Sequence, residues 1–154
     1  MITKERRVQK MCSFYASEFH LEMIMIPYIH RKINEDANVI IMTESNLRDT
    51  VEIVISKINL PIDKKEKILS LNWNTNDCEK FKEIRNRKNE NELVIFIIGD
   101  ENYIENVNKN IEKSIDETNT KIIDCYSLKE AEDKFESILE KHTMVLNTIS
   151  EKEI

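Results

Sequence analysis

Glycine is almost absent from this chain: Gly99 is the only one in 154 residues. That excludes G-x-x-x-x-G-K-[ST] and G-x-G-x-x-G, which need several glycines where backbone closes on phosphate. Proline occurs twice, and a chain so short of turn formers favours long regular elements over a loop-rich sandwich. Cys12, Cys78 and Cys125 are far apart and none belongs to a C-x-x-C pair. An odd number of thiols without a signal peptide predicts a reduced, cytoplasmic protein. The longest apolar runs, Met23 to Ile26 and Leu93 to Ile98, fall well short of the roughly 20 residues that span a bilayer. His20, His30 and His142 form neither H-x-x-x-H nor H-E-x-x-H, so no metal signature is present. No nucleophile elbow and no Ser/His/Asp or Cys/His spacing occurs either. Basic excess is also missing. The net charge is −6, which argues against a nucleic-acid surface, because phosphate neutralisation needs clustered Lys and Arg. The short clusters Lys4 to Arg7 and Arg85 to Lys88 are interrupted or flanked by acids and read as solvated faces.

What is present is 40% hydrophobic and 34% charged, the balance of a folded soluble chain. The length predicts one domain over 1–154, with a core over about 8–148 and flexible ends, the first ten residues forming an arm. Met11 to Tyr15 reads as a short strand, and Ser17 as the N-cap of a helix over Glu18 to Glu35. Phe19, Met23, Ile26, Ile29 and Ile33 are placed inward, Leu21, Ile24 and Met25 widening the stripe. Pro27 predicts a kink or a late start in that helix. Asn38 to Thr43 is a β-branched strand and Ser45 to Ile58 a helix. Pro61 opens a turn or helix to about Lys67, and Ile68 to Trp73 reads as a further strand. Asn76 with Glu79 caps a helix to about Arg87. Asn86 to Glu92 is the most polar connection, and Leu93 to Ile98 the most apolar strand. A helix over Glu101 to Glu117 follows, with Ile104, Val107, Ile111 and Ile115 inward. Lys121 to Ser127 is then a strand, and Ser127 with Glu130 has capping-box spacing for a helix running to His142. His142 to Leu146 closes the unit with an apolar run, and Ile149 to Ile154 frays. Apolar strands alternating with amphipathic helices predict an α/β fold. Its mainly parallel sheet of about five strands has helices on both faces, RecA-like or Rossmann-like without the phosphate loop.

Ligands in such sheets sit beyond the carboxyl ends of the strands. That rim comprises Thr43 to Asn46, Trp73 to Asn76, Gly99 to Asn102 and Tyr126-Ser127. Asp100, closing an apolar strand, has the place of a magnesium-binding acid or a phosphoacceptor. Without a phosphate loop, or the acidic cluster and later lysine of a receiver site, a helix N-cap is the stronger reading, with Glu101 favourable in the first turn. Trp73 is the candidate ligand-facing aromatic, or equally a core lid. Cys12, Cys125 and His142 converge only if the first and last strands are neighbours. Small core thiols, with His142 over a helix C-terminus, are the plainer reading. Met23 to Ile26 is a partner groove or, more simply, a core helix. The ligand-contact candidates are Tyr15, Trp73, Asp100, Glu101, Tyr126 and His142. No residue is assigned a catalytic or metal-binding role.

Met11-Cys12-Ser13-Phe14-Tyr15-Ala16-Ser17-Glu18 and Met25-Ile26-Pro27-Tyr28-Ile29 resemble the opening of the MEDS (methanogen/methylotroph DcmR sensory) domain. Asp124-Cys125-Tyr126-Ser127 and Glu140 to Leu146 resemble that family's "ClYd" strand and "l-x-x-HP-x-vi" close. The resemblance covers roughly residues 8–148. Lys10 stands where a histidine is common and Thr143 where proline is common, and the middle lacks the family's glycine-bearing tract. The resemblance implies a degenerate RecA/KaiC-like fold without ATPase machinery, and a non-enzymatic sensory or regulatory role without a cofactor. It implies action through a regulatory partner (a kinase, an anti-sigma-type protein or a transcription regulator) or through a small-molecule ligand, while the charge and the short apolar runs predict no nucleic-acid and no membrane partner. The alternatives are a nucleotide- or metal-dependent enzyme using the rim around Asp100, and a structural adaptor forming a homodimer through an exposed helix face.

Overall fold

The computed structural model describes residues 8–87, 91–115, 119–147 and 151–153. The elements run β1 (Val8–Tyr15), α1 (Glu18–Asn34), β2 (Asn38–Thr43), α2 (Arg48–Lys57), α3 (Ile62–Leu69) and α4 (Asp77–Arg85). They continue with β3 (Leu93–Ile98), α5 (Glu101–Ser114), β4 (Thr120–Ser127), α6 (Leu128–Ala131), α7 (Phe135–Glu140), β5 (Met144–Leu146) and β6 (Glu151–Glu153). The strand order is β2-β3-β4-β1-β5-β6. The first five strands in that row are parallel, and β6 pairs antiparallel with β5. This is the α/β architecture the sequence predicts, consistent with a RecA-like or Rossmann-like fold.

All six residues of β3 are buried, as a central parallel strand covered on both faces requires. Val94, Phe96 and Ile98 pack into one core with Leu21, Met25 and Ile29 of α1, Val51 and Ile55 of α2, and Ile68 of α3. Ile95 and Ile97 pack into the other with Ile84 of α4, Ile104, Val107 and Ile111 of α5, and Ile138 of α7. Each such side chain contributes about 1.5–3 kcal/mol on burial. The chain leaves β1 towards β2 in one direction and leaves β4 towards β5 in the other. With right-handed crossovers this reversal puts α1 and α7 on opposite faces.

Several boundaries differ from expectation for definable reasons. Ile68 to Trp73 is not a strand: Ile68 and Leu69 end α3, and Leu71 to Trp73 lie in the following loop. A short apolar run does not distinguish a strand from a buried helix end. Helix α1 runs unbroken through Pro27. Pro27 and Met23, whose carbonyl loses the Pro27 N–H as a partner, are both exposed, so the lost bond lies on the solvent face. Phe19 and Met23 face outward at 49% and 51% exposure. Leu21, Ile24 and Met25 are buried in their place. Helix α2 starts at Arg48, not Ser45, because Asn46 Oδ1 accepts from Arg48 N at 2.8 Å and holds a turn before the helix. The last helix is broken at residues 132–134 into α6 and α7, which leaves Leu128 exposed. β1 begins at Val8, so residues 8–10 belong to the sheet. Residues 151–153 form β6 instead of fraying. Asn76 occupies the cap position of α4 without a side-chain cap bond, and α4 ends at Arg85. Lys4 to Arg7, Lys88 and residues 116–117 of the expected fifth helix lie outside the described residues.

Helix α1 closes without glycine. Asp36 takes φ 61°, and Ala37 N donates to Lys32 O at 2.9 Å, the Schellman-like stop that glycine usually provides. No helix among the described residues is long and apolar enough to cross a membrane.

Candidate functional site

At the carboxyl ends of β2 and β3 the rim carries the protein's own acids. Asp100 caps α5, its Oδ1 accepting from Tyr103 N at 2.8 Å. Glu44 folds across Gly99 and accepts from Asp100 N at 2.6 Å. Two carboxylates therefore occupy the positive end of α5, the place a phosphate would take. The one glycine of the chain leaves room for this approach. A Cβ on Gly99 would stand 2.5 Å from Glu44 Oε1 and 2.6 Å from Tyr103 Cδ2. At the reversal of strand order, Ser17 and Ser127 are engaged as caps of α1 and α6. Tyr15 stands between them, opposite Ser127. Burial and, beyond it, the neighbouring Cys125, Glu130, Glu18 and Glu44 push the Tyr15 hydroxyl up to about 12. This end of the sheet is therefore acidic.

Trp73 is not ligand-facing. It is 1% exposed, and its indole N–H donates to Ile68 O at 3.0 Å. It lids the core over α1 and α2 because the loop after α3 folds inward. Cys12 and Cys125 lie on opposite faces of the sheet, in separate cores, so they do not join His142 in one thiol or metal site. Among the described residues no cluster of three or more His, Cys, Asp or Glu is placed to hold a metal.

The chemistry gathers instead on the face covered by α5 and α7. A cleft of about 170 Å³ lies between these helices and the sheet, walled by Ile104, Ile138 and Tyr126 and floored by Lys10, Asp124 and His142. Parallel pairing makes the floor. Lys10 stands opposite Ile122 and Cys12 opposite Asp124, and alternation along both strands turns Lys10, Cys12 and Asp124 to the same face. His142, just before β5, arrives because β5 pairs with β1 and because Thr143 N donates to Lys10 O at 2.8 Å.

Asp124 is 2% exposed and fully engaged. Its Oδ1 accepts from Asn108 Nδ2 at 3.0 Å, and its Oδ2 from His142 Nε2 at 2.7 Å and Lys10 Nζ at 2.9 Å. Burial works to raise its pKa, but the bonds from His142, Lys10 and Asn108 outweigh it and hold the carboxyl below its ordinary value. His142 Nδ1 faces Ile138 O, so both ring nitrogens have a partner. Asn108 directs Nδ2 also to Ile104 O at 2.9 Å, and its Oδ1 accepts from Lys10. Cys12 stays a thiol: burial first, then Asp124, pushes it up to about 12. The floor is thus a bonded set of charges, open to the cleft at Lys10 and without an activated nucleophile.

Of the six sequence candidates, Glu101, Tyr126 and His142 line this cleft. Asp100 and Glu101 border a shallower dent with Lys134, which pairs with Glu101. Tyr15 and Trp73 pack in the opposite core. Asp124, Lys10 and Asn108 were not candidates. The available signal was the acid itself, set in the apolar run Ile122-Ile123-Asp124-Cys125, because a charge inside a buried strand requires partners. The chain matches no family model, no curated protein and no solved structure.

Proposed function

We propose that this chain is a non-enzymatic sensory or regulatory module whose ligand site is the cleft over Asp124, with the ligand's occupancy read by a partner protein. The observation that carries this reading is the placement of a bonded charge set, buried at Asp124 and His142 and open at Lys10, on the floor of a part-apolar cleft. Small-molecule sites combine such apolar walls with a few convergent polar groups. The resemblance to MEDS domains supports the same reading. Two of its departures meet here: Thr143 makes an N–H bond to Lys10 that proline cannot make, and Lys10 itself bonds Asp124. Engagement of both His142 nitrogens and the protonated Cys12 speak for binding over catalysis. A kinase, an anti-sigma-type protein or a transcription regulator is the class of partner proposed.

Native mass spectrometry of the protein purified gently from its own host, beside Ser137→Trp, tests the reading. Ser137 is exposed at the cleft wall, so the bulky variant closes the cleft without touching the floor. A stoichiometric small-molecule adduct present in the wild type and lost in the variant is the expected result. A nucleotide adduct retained by the variant would overturn the reading in favour of the rim.

A further inference from the structure

The hydrogen-bond inventory of the floor selects the ligand's polar group. Asp124 accepts three donors, with both of its oxygens engaged. His142 has both nitrogens engaged, and Asn108 has both N–H bonds and its carbonyl engaged. Lys10 differs. An ammonium has three donors, and among the described residues Lys10 directs two, to Asn108 Oδ1 and Asp124 Oδ2. Its side chain remains 30% exposed at the cleft. The third N–H is the donor that the floor offers, and it calls for an acceptor.

Charge narrows that acceptor further. The offered donor is an ammonium N–H, which bonds a carboxylate oxygen more strongly than a neutral carbonyl, so the floor favours an anion. The charges at the mouth do not reverse this. Glu105 and Glu112 are exposed, as are Lys109 and Lys141 opposite them, and Glu101 is paired with Lys134. These groups balance, and water screens them. The walls set the rest of the molecule. Ile104, Ile138 and the Tyr126 ring are apolar, and the volume of about 170 Å³ is close to the roughly 150 Å³ of an engineered cavity that takes up benzene.

We propose that the cleft binds a small organic monocarboxylate, its carboxylate on the Lys10 ammonium and its short apolar body against Ile104, Tyr126 and Ile138. This rests on the reading of the cleft as the ligand site and adds the ligand's chemical class. Size and the single offered donor disfavour a nucleotide or a multiply charged phosphate ester.

The test is isothermal titration of the full chain with 3-methylbutanoate, its amide 3-methylbutanamide and its amine analogue 3-methylbutylamine. The acid should bind at least about tenfold tighter than either isostere, the ratio expected of one charge-assisted hydrogen bond. Lys10→Arg should keep that preference, Lys10→Met should erase it, and Ser137→Trp should remove all binding. Amide or amine binding as tight as the acid, still lost in Ser137→Trp, would overturn the carboxylate assignment and leave the cleft as the ligand site. Absence of binding by all three probes, with the amide resonances of residues 104–108 and 138–142 unmoved, would overturn both. If Lys10→Met does not fold, the three-probe comparison in the wild type and Lys10→Arg still decides the class.

Discussion

Glu22 is the residue whose replacement should improve this protein, by an amount that depends on pH. It lies on α1 facing α2 and is 0% exposed. Its Oε2 accepts from Thr50 Oγ1, while its Oε1 is buried without a partner. Burial, which outweighs the Thr50 bond, pushes its pKa up from 4.5 to about 7, with Glu18 adding to the rise. A carboxyl raised in the folded state holds its proton more tightly there than in the unfolded chain. The wild type therefore loses stability as pH rises above 4.5, and the loss levels off above about 7. At about 1.36 kcal/mol per pH unit the gap sets a ceiling near 3 kcal/mol, and relaxation of the surroundings around the ionised carboxylate brings it to about 2 kcal/mol. Glu22→Met keeps the length and removes both oxygens, and Thr50 retains its bond to Leu47 O at 3.1 Å. Urea unfolding of both proteins at pH 4 and pH 8 checks this. The stability of the variant relative to the wild type should rise by about 2 kcal/mol between the two pH values. A difference that stays constant across that range would refute the argument that Glu22 carries an uncompensated charge.

Asp124→Asn leaves Lys10 and His142 facing an uncharged amide, and chemical denaturation at neutral pH should register a loss of about 3–5 kcal/mol. Because the Asp124 carboxyl is held below its ordinary 3.8, its contribution is present above that value and lost as pH falls below it, so the same variant should flatten the acid limb of the stability profile. Asp100→Ala removes the cap of α5 and should cost about 1 kcal/mol in urea unfolding. Gly99→Ala drives a methyl into Glu44 and Tyr103 and should lower stability by about 1–3 kcal/mol, measured by thermal melting. Asp36→Gly relieves a left-handed residue at the end of α1 and should raise stability by up to about 1 kcal/mol in the same assay.

What was legible in the sequence is what local pattern encodes. The six apolar residues of β3, the cap at Asp100 and the alternation of strands with amphipathic helices fix the α/β class from neighbours a few positions apart. Ile68 to Trp73 misled because an apolar run of that length fits either a strand or a helix end, and the indole bond back to Ile68 decided between them. The outward turn of Phe19 and Met23 followed from a wide apolar stripe on α1 with more than one inward solution. The floor of the cleft was illegible for a different reason. Lys10, Asn108, Asp124 and His142 are brought together by the pairing of β1 with both β4 and β5, and no spacing rule reports a register between distant strands. His142 and Tyr126 were found at the sequence level, but the acid that bonds His142 was not.

The central claim is that ligand binding belongs to the cleft over Asp124 and not to the rim of the sheet. Its most direct test is the amide correlation spectrum of the labelled protein titrated with the small-molecule fraction of its host. The account predicts shifts concentrated at residues 104–108, 124–126 and 138–142, and none in Ser137→Trp. Shifts concentrated at residues 44–46 and 99–103, persisting in that variant, would contradict it.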